Sequence, residues 1–240
     1  MVSLPVFFHD GVLAQGAQLW LAEDTARHVV QVLRMQQGAQ LKLTDGKGHE
    51  AVCSIADAGK KKCAVTIVSV QYHEATPVAL HLAVAFTKNT ARNEWLLEKA
   101  TELGARSIIP LLATRTEREK TRHDRWRNIL ISAMLQSQQY HLPDLPEPLQ
   151  LDKMLTKYNS VQQKLVAHCM DGKEKQPLTT AMQPGKETLI LIGPEGDFTA
   201  DEVNLCEAQG CVAISLGTQR LRTETAAMSV CAYFNSINNG

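Results

Sequence analysis

The run Thr188-Leu-Ile-Leu-Ile-Gly-Pro-Glu-Gly-Asp-Phe198 points most directly to the fold. Its first five residues are apolar or β-branched, the composition of a short strand buried on both faces. The run breaks at Gly193-Pro194, and Thr199-Ala-Asp-Glu202 then has the spacing of a capping box, so a helix should begin just after the turn. A second run of the same form lies downstream. Cys211-Val-Ala-Ile-Ser215 breaks into Leu216-Gly-Thr-Gln-Arg-Leu-Arg-Thr-Glu-Thr-Ala226, where Thr223 can cap a helix whose first turn holds Glu224. Open α/β sheets bind ligands beyond the carboxyl ends of their strands, where backbone amides are free. Two such turns at neighbouring strand ends predict one site built largely from main chain. Gly193 and Gly196 would let backbone approach a ligand closely, and the helix start favours an anion nearby.

Upstream, strand and helix patterns alternate. Val78–Phe86 is a strand candidate, followed by the polar loop Thr87–Arg92 and a helix from about Asn93 that stops at Gly104. Ser107–Leu112 is the next strand, Arg122–Gln138 a longer helix, and Leu151–Tyr158 and Lys164–His168 a further helix and strand. This order predicts a mostly parallel sheet covered on both faces. Residues before Thr76-Pro77 read differently. A short amphipathic helix at Glu23–Met35 precedes strand candidates Gln40–Thr44, Glu50–Ala56 and Cys63–Tyr72, separated by the turns Asp45-Gly-Lys-Gly48 and Ala58-Gly-Lys60. The expected division is a β-rich unit over 1–74 and an α/β unit over 75–240.

Composition bounds the partners. Lys and Arg number 25 against 25 Asp and Glu, so any polyanion contact must come from local clustering. No stretch approaches the length of a membrane span, and Met1–His9 lacks the basic start of a signal peptide. The 6 cysteines are scattered without a CxxC pair, as expected for reduced core thiols in a cytoplasmic protein, and no metal is expected. His168-Cys169 reads as a strand end packed with ordinary side chains.

Ile192-Gly-Pro-Glu-Gly-Asp-Phe198, with Ser215-Leu-Gly217 and Leu221-Arg-Thr-Glu-Thr-Ala-Ala227, resembles the RsmE family of ribosomal RNA uridine-N3 methyltransferases, in the SPOUT superfamily. The resemblance extends to Arg92-Asn-Glu-Trp-Leu-Leu-Glu-Lys-Ala-Thr-Glu-Leu-Gly104, to Ile108-Ile-Pro-Leu111, and to His28–Arg34 and Asp45–Gly48. It implies a SPOUT-type α/β parallel sheet with a C-terminal trefoil knot, preceded by a small PUA-like β-barrel domain. Two departures stand out: Asp197 occupies a position where the family usually has glycine, and Leu135-Gln-Ser-Gln-Gln-Tyr140 replaces a more usual Gln-(Ser/Cys)-Gly-Arg run. Asp197 argues against a need for glycine's backbone freedom at that position.

The resemblance implies methyl transfer from S-adenosyl-L-methionine to N3 of a uridine in 16S rRNA of the assembled 30S subunit, by a homodimer. On this reading Ile192, Gly193, Pro194, Glu195, Gly196, Leu216, Gly217, Leu221 and Arg222 form the cofactor pocket. Arg222 would stabilise the uridinate, while Glu195 or Glu224 would take the proton; Glu224 has an equal claim as a helix-dipole partner. Candidate RNA contacts are Arg34, Lys60, Lys61, Lys62, Lys88, Arg92 and Arg115. The wider Thr114–Arg127 stretch is also basic, with Arg118, Lys120, Arg122, Arg125 and Arg127 against Glu117, Glu119 and Asp124. Two other functions stay open: methylation at another RNA position, such as a ribose 2′-hydroxyl, and a non-catalytic RNA-binding assembly factor.

Overall fold

The computed structural model describes residues 4–59, 62–117 and 122–239. The chain forms two compact units, one of residues up to Ala75 together with Met134–Leu142, the other of Thr76–Ala133 and Pro143 onward. The change in pattern near Thr76-Pro77 marks the boundary. The excursion at 134–142 has no counterpart in the division expected from sequence.

In the first unit, strands β1 (Val6–Phe8), β2 (Gln18–Trp20), β3 (Gln40–Thr44), β4 (His49–Ala58) and β5 (Cys63–Tyr72) form one sheet in the order β1-β3-β4-β5-β2. The three longer strands form the antiparallel meander that their turns require, while β1 joins β3 in parallel. Register shifts at Val52/Cys53 and Ile55/Asp57 bend β4, so its buried residues close around Leu41, Leu43, Val65 and Ile67. The amphipathic segment is α1 (Glu23–Arg27) followed by a π-helical turn at His28–Val32, which places Ala26 and Val29 in that core.

The second unit carries β6 (Leu80–Val84), α2 (Thr90–Glu102), β7 (Ser107–Leu112), α3 (His123–Gln136), β8 (Leu149–Gln150), α4 (Leu151–Lys157), β9 (Gln163–Ala167), β10 (Gln176–Pro177), α5 (Leu178–Ala181), β11 (Thr188–Ile192), α6 (Ala200–Ala208), β12 (Val212–Ser215) and α7 (Thr223–Asn239). Every strand pair is parallel, in the order β10-β12-β9-β11-β6-β7-β8. All five residues of β11 are buried, as its composition predicts for a central strand. On one face Ile109, Leu189 and Leu191 pack with Met154 and Leu155 of α4 and Val203 and Cys206 of α6. On the other, α7 lies against α2, β6 and β11. Helix α2 starts three residues earlier than its apolar spacing suggested, because the Asn89 side chain accepts the Arg92 amide as an N-cap.

One expectation is corrected. Strands β11 and β12, which carry the two glycine turns, are not neighbours: β9 lies between them and pairs with both. Strand order is set by long-range packing, which the local spacing of two runs does not encode.

Candidate functional site

Beyond the carboxyl ends of β9, β11 and β12 lies an open cleft of about 760 Å³, within the roughly 300–1,000 Å³ usual for a small-molecule site. The turn after β11 and the turn after β12 form its two sides. Although their strands are separated, the turns are joined directly: the Thr223 hydroxyl donates to the Gly193 carbonyl oxygen at 3.3 Å. The loop after β9 completes the lining, with His168, Cys169 and Asp171.

Local sequence explains these loops. At Gly193 a Cβ would fall 3.0 Å from the ring of buried Phe198, so any other residue there would have to push that ring aside. Gly217 has φ +123°, outside the range of ordinary side chains. Asp197 has φ +63°, so the position does demand the left-handed backbone that glycine adopts freely. The expectation drawn from its identity was therefore wrong. Aspartate holds the conformation through its carboxylate, which accepts the Phe198 amide at 2.9 Å and the Cys169 amide at 2.8 Å. The second bond ties the β11 turn to the β9 loop. Helix α6 then begins on the predicted capping box, with Thr199 accepting the Glu202 amide and Glu202 accepting the Thr199 amide.

Ile192, Gly193, Pro194, Glu195, Leu216, Gly217, Leu221 and Arg222 all line the cleft. Gly196 does not; its carbonyl instead accepts a 2.7 Å hydrogen bond from Arg115. Arg222 is exposed, and among the described residues its guanidinium has no hydrogen-bond or ion-pair partner. Glu224 lies outside the lining. One of its oxygens sits 3.5 Å from Arg92 Nε, and the other is buried without a partner among the described residues. Arg92 also bonds Glu195 at 3.2 Å, so this guanidinium bridges the two candidate proton acceptors. Lys88 pairs with Glu117. The remaining basic candidates that are described, Arg34 and Lys62, belong to the first unit, where Lys62 Nζ lies 6.0 Å from the centre of the Trp20 ring. Lys60, Lys61, Arg118 and Lys120 fall outside the described residues.

Sequence reasoning assigns His168 only a packing role at a strand end. It is only 6% exposed, yet it lines the cleft. Its Nδ1 accepts the Met170 amide at 3.2 Å, while its Nε2 is buried without a partner among the described residues. Burial holds the imidazole below the ordinary histidine range, and the charge of Lys175 acts in the same direction. A ring that is neutral and accepts at Nδ1 carries its proton on Nε2. The only local signal was a polar residue at the end of an apolar strand, which ordinary strand ends share.

Comparison with known proteins agrees with this architecture. A family model described as RNA methyltransferase domain matches residues 74–235, and one described as RNA methyltransferase PUA domain matches 21–68. The ribosomal RNA small subunit methyltransferase E of Rickettsia conorii is 30% identical over 223 residues, which cover 92% of this chain and 90% of that protein. The crystal structure of a probable rRNA-methyltransferase from Porphyromonas gingivalis superposes with a TM-score of 0.92 at 31% identity, covering 98% of both chains. That of a ribosomal RNA small subunit methyltransferase E from Neisseria gonorrhoeae, bound to S-adenosyl methionine, gives 0.86 at 26% identity, again over 98% of both.

Proposed function

The chain belongs to the ribosomal RNA small subunit methyltransferase E family, and from that membership we propose that it methylates N3 of a uridine in 16S rRNA of the assembled small subunit, using S-adenosyl-L-methionine. The observation that carries this reading is the cleft itself. Two turns and the end of β9 converge there, bringing main chain at Gly193 into the wall and leaving the buried Nε2 of His168 without a partner among the described residues. A ligand with an apolar heterocycle and several acceptors fits such a lining.

Residues 192–195 and 216–222 would hold the cofactor, with Ile192 and Leu221 as apolar walls. When bound, the sulfonium supplies an activated methyl group that needs no metal to leave. This chain must orient the uracil and remove one proton from N3. Arg222, exposed at the cleft and without a partner among the described residues, would face the negative charge that spreads onto O2 and O4 as N3 loses its proton. Of the two carboxylates Glu195 lines the cleft, so we assign it the proton. Glu224, outside the lining, would hold Arg92 in place. The C-terminal trefoil knot, a cytoplasmic location and a homodimer whose second copy completes each site belong to the same reading. So does RNA docking through Arg92, Arg115, Lys88, Arg34 and the Lys60–Lys62 turn.

The test is to incubate the purified protein with the cofactor and intact small subunits, then digest the RNA and identify the product by mass spectrometry. N3-methyluridine is expected. R222A should lower single-turnover methylation about 100-fold with cofactor affinity little changed. A 2′-O-methylated product, or no product with any RNA, would overturn the reading; an R222A rate equal to wild type would remove Arg222 from the chemistry.

A further inference from the structure

The imidazole of His168 is the one cleft side chain that is more than nine-tenths buried while one of its polar atoms lacks a partner among the described residues. A buried donor left unsatisfied destabilises the fold, and a bound acceptor would remove that cost. The proton is held on Nε2 by the Met170 amide, which occupies Nδ1. This residue is therefore a fixed, neutral donor rather than a base or a cation. It stands at the end of β9, between the two strands whose turns flank the cleft. The same loop presents Asp171 to the cleft three residues on, a carboxylate that can accept from a hydroxyl. A neutral donor and an acceptor on one loop suit a vicinal diol, whose oxygens both donate and accept. They do not suit a carboxylate, which the guanidinium of Arg222 in the same lining, without a partner among the described residues, would hold better.

We propose that His168 is a cofactor-positioning residue whose Nε2–H hydrogen-bonds a ribose hydroxyl of the sulfonium donor, fixing the nucleoside half at the end of β9. This rests on the methyltransferase reading above. It explains why a polar ring is buried at a strand end: the Met170 amide on one side and the ligand hydroxyl on the other together satisfy both nitrogens. The hydrogen bond that the Cys169 amide donates to the Asp197 carboxylate holds the loop that carries the ring against the β11 turn, so the imidazole's position is set by two strands rather than one.

The experiment is calorimetric titration of S-adenosylmethionine and S-adenosylhomocysteine into the full chain as wild type, H168F and H168Q, at a pH where the imidazole is neutral. H168F should weaken both ligands at least tenfold, and H168Q, whose amide can donate from a similar reach, should recover most of that loss. A 2′,3′-dideoxy analogue of S-adenosylhomocysteine should bind wild type and H168F alike. With 15N-labelled histidine, the His168 Nε2 proton should shift downfield when wild type is saturated with ligand; this readout holds even if a variant folds poorly. H168F binding within twofold of wild type, equal weakening of the dideoxy analogue, or an Nε2–H signal unmoved at saturation would each overturn the assignment. Wild type that binds neither ligand would instead overturn the methyltransferase reading on which it stands.

Discussion

Asp197 and Gln138 share a backbone state that side chains seldom adopt, with φ of +63° and +56°. Both lie in the segments where this chain departs from its family's usual sequence, and in each the usual form contains glycine. The left-handed state costs an ordinary residue roughly 1–2 kcal/mol, and the two positions meet that cost differently. Asp197 gains two amide hydrogen bonds to its carboxylate. Gln138 closes the turn after α3, where its amide donates to the Leu135 carbonyl through the backbone alone. Q138G should therefore stabilise the protein by about 1 kcal/mol. D197A, which keeps the strain and loses both acceptors, should destabilise it by about 2 kcal/mol, and D197G should fall between D197A and wild type. Urea midpoints of the three variants decide the order; D197A indistinguishable from wild type would show that the carboxylate bonds contribute nothing. These conformations could not be read from residue identity, because backbone geometry was fixed by loops whose other ends lie far away in sequence.

At the scale of elements, the capping box of α6 does more than start a helix. One Glu202 oxygen accepts from the amide and hydroxyl of Thr199, and the other from the amide and hydroxyl of Thr114, at 2.7 and 3.0 Å. Burial works to raise its pKa, but these donors outweigh it and hold the carboxyl below the usual range. The same loop carries Arg115, which donates to Gly196 in the β11 turn. T199A should cost about 1 kcal/mol, the usual loss for a cap. E202A should cost about 1 kcal/mol more and should speed hydrogen exchange at the Thr114 amide, which T199A leaves slow. Equal losses from the two variants would mean that the link to Thr114 carries no energy. The box itself was plain from Thr199 and Glu202; its second attachment joins residues 88 positions apart, beyond any local pattern. Strand identities were likewise readable from apolar runs such as β7 and β11, whereas very short edge strands such as β8 and β10 carry too few residues to show a period.

At the scale of the whole molecule, the first unit is closed by a segment from the middle of the chain. The Gly48 amide donates to Tyr140 and the Leu142 amide to Gly46, each at 2.8 Å, while the Tyr140 ring stacks on His73 with centroids 4.0 Å apart. Glu50 is the hub of this attachment, bonded by Lys42, His73 and Tyr140. Burial would raise its pKa, but those bonds and the charges of Lys42 and His73 leave it below the ordinary carboxylate value, while burial and Glu50 push Tyr140 up to about 12. A carboxylate depressed in the folded state adds stability above its ordinary pKa of 4.5, and that stability is lost as pH falls through the folded value. Wild type should thus lose thermal stability steeply below about pH 4.5, and E50Q should start lower at pH 7 and lose less on acidification. Parallel melting curves for the two proteins across that range would remove Glu50 from this role. Composition and turn signals revealed a β-rich unit ending near residue 75; they could not reveal the returning segment Met134–Leu142, whose first residues belong to the run expected as the helix Arg122–Gln138 and carry no sign of a distant partner.

A final consequence follows from β9 standing between β11 and β12. Adjacent strands in a sheet are spaced about 4.8 Å apart, so the strand ends from which the two walls of the cleft spring are set two such steps apart by hydrogen-bonded backbone, even though the turns themselves meet at Thr223 and Gly193. Side-chain changes can roughen or smooth those walls, but the gauge between them is a property of the sheet. Evolution of a narrower or broader ligand preference would have to work on depth and edge chemistry instead of span.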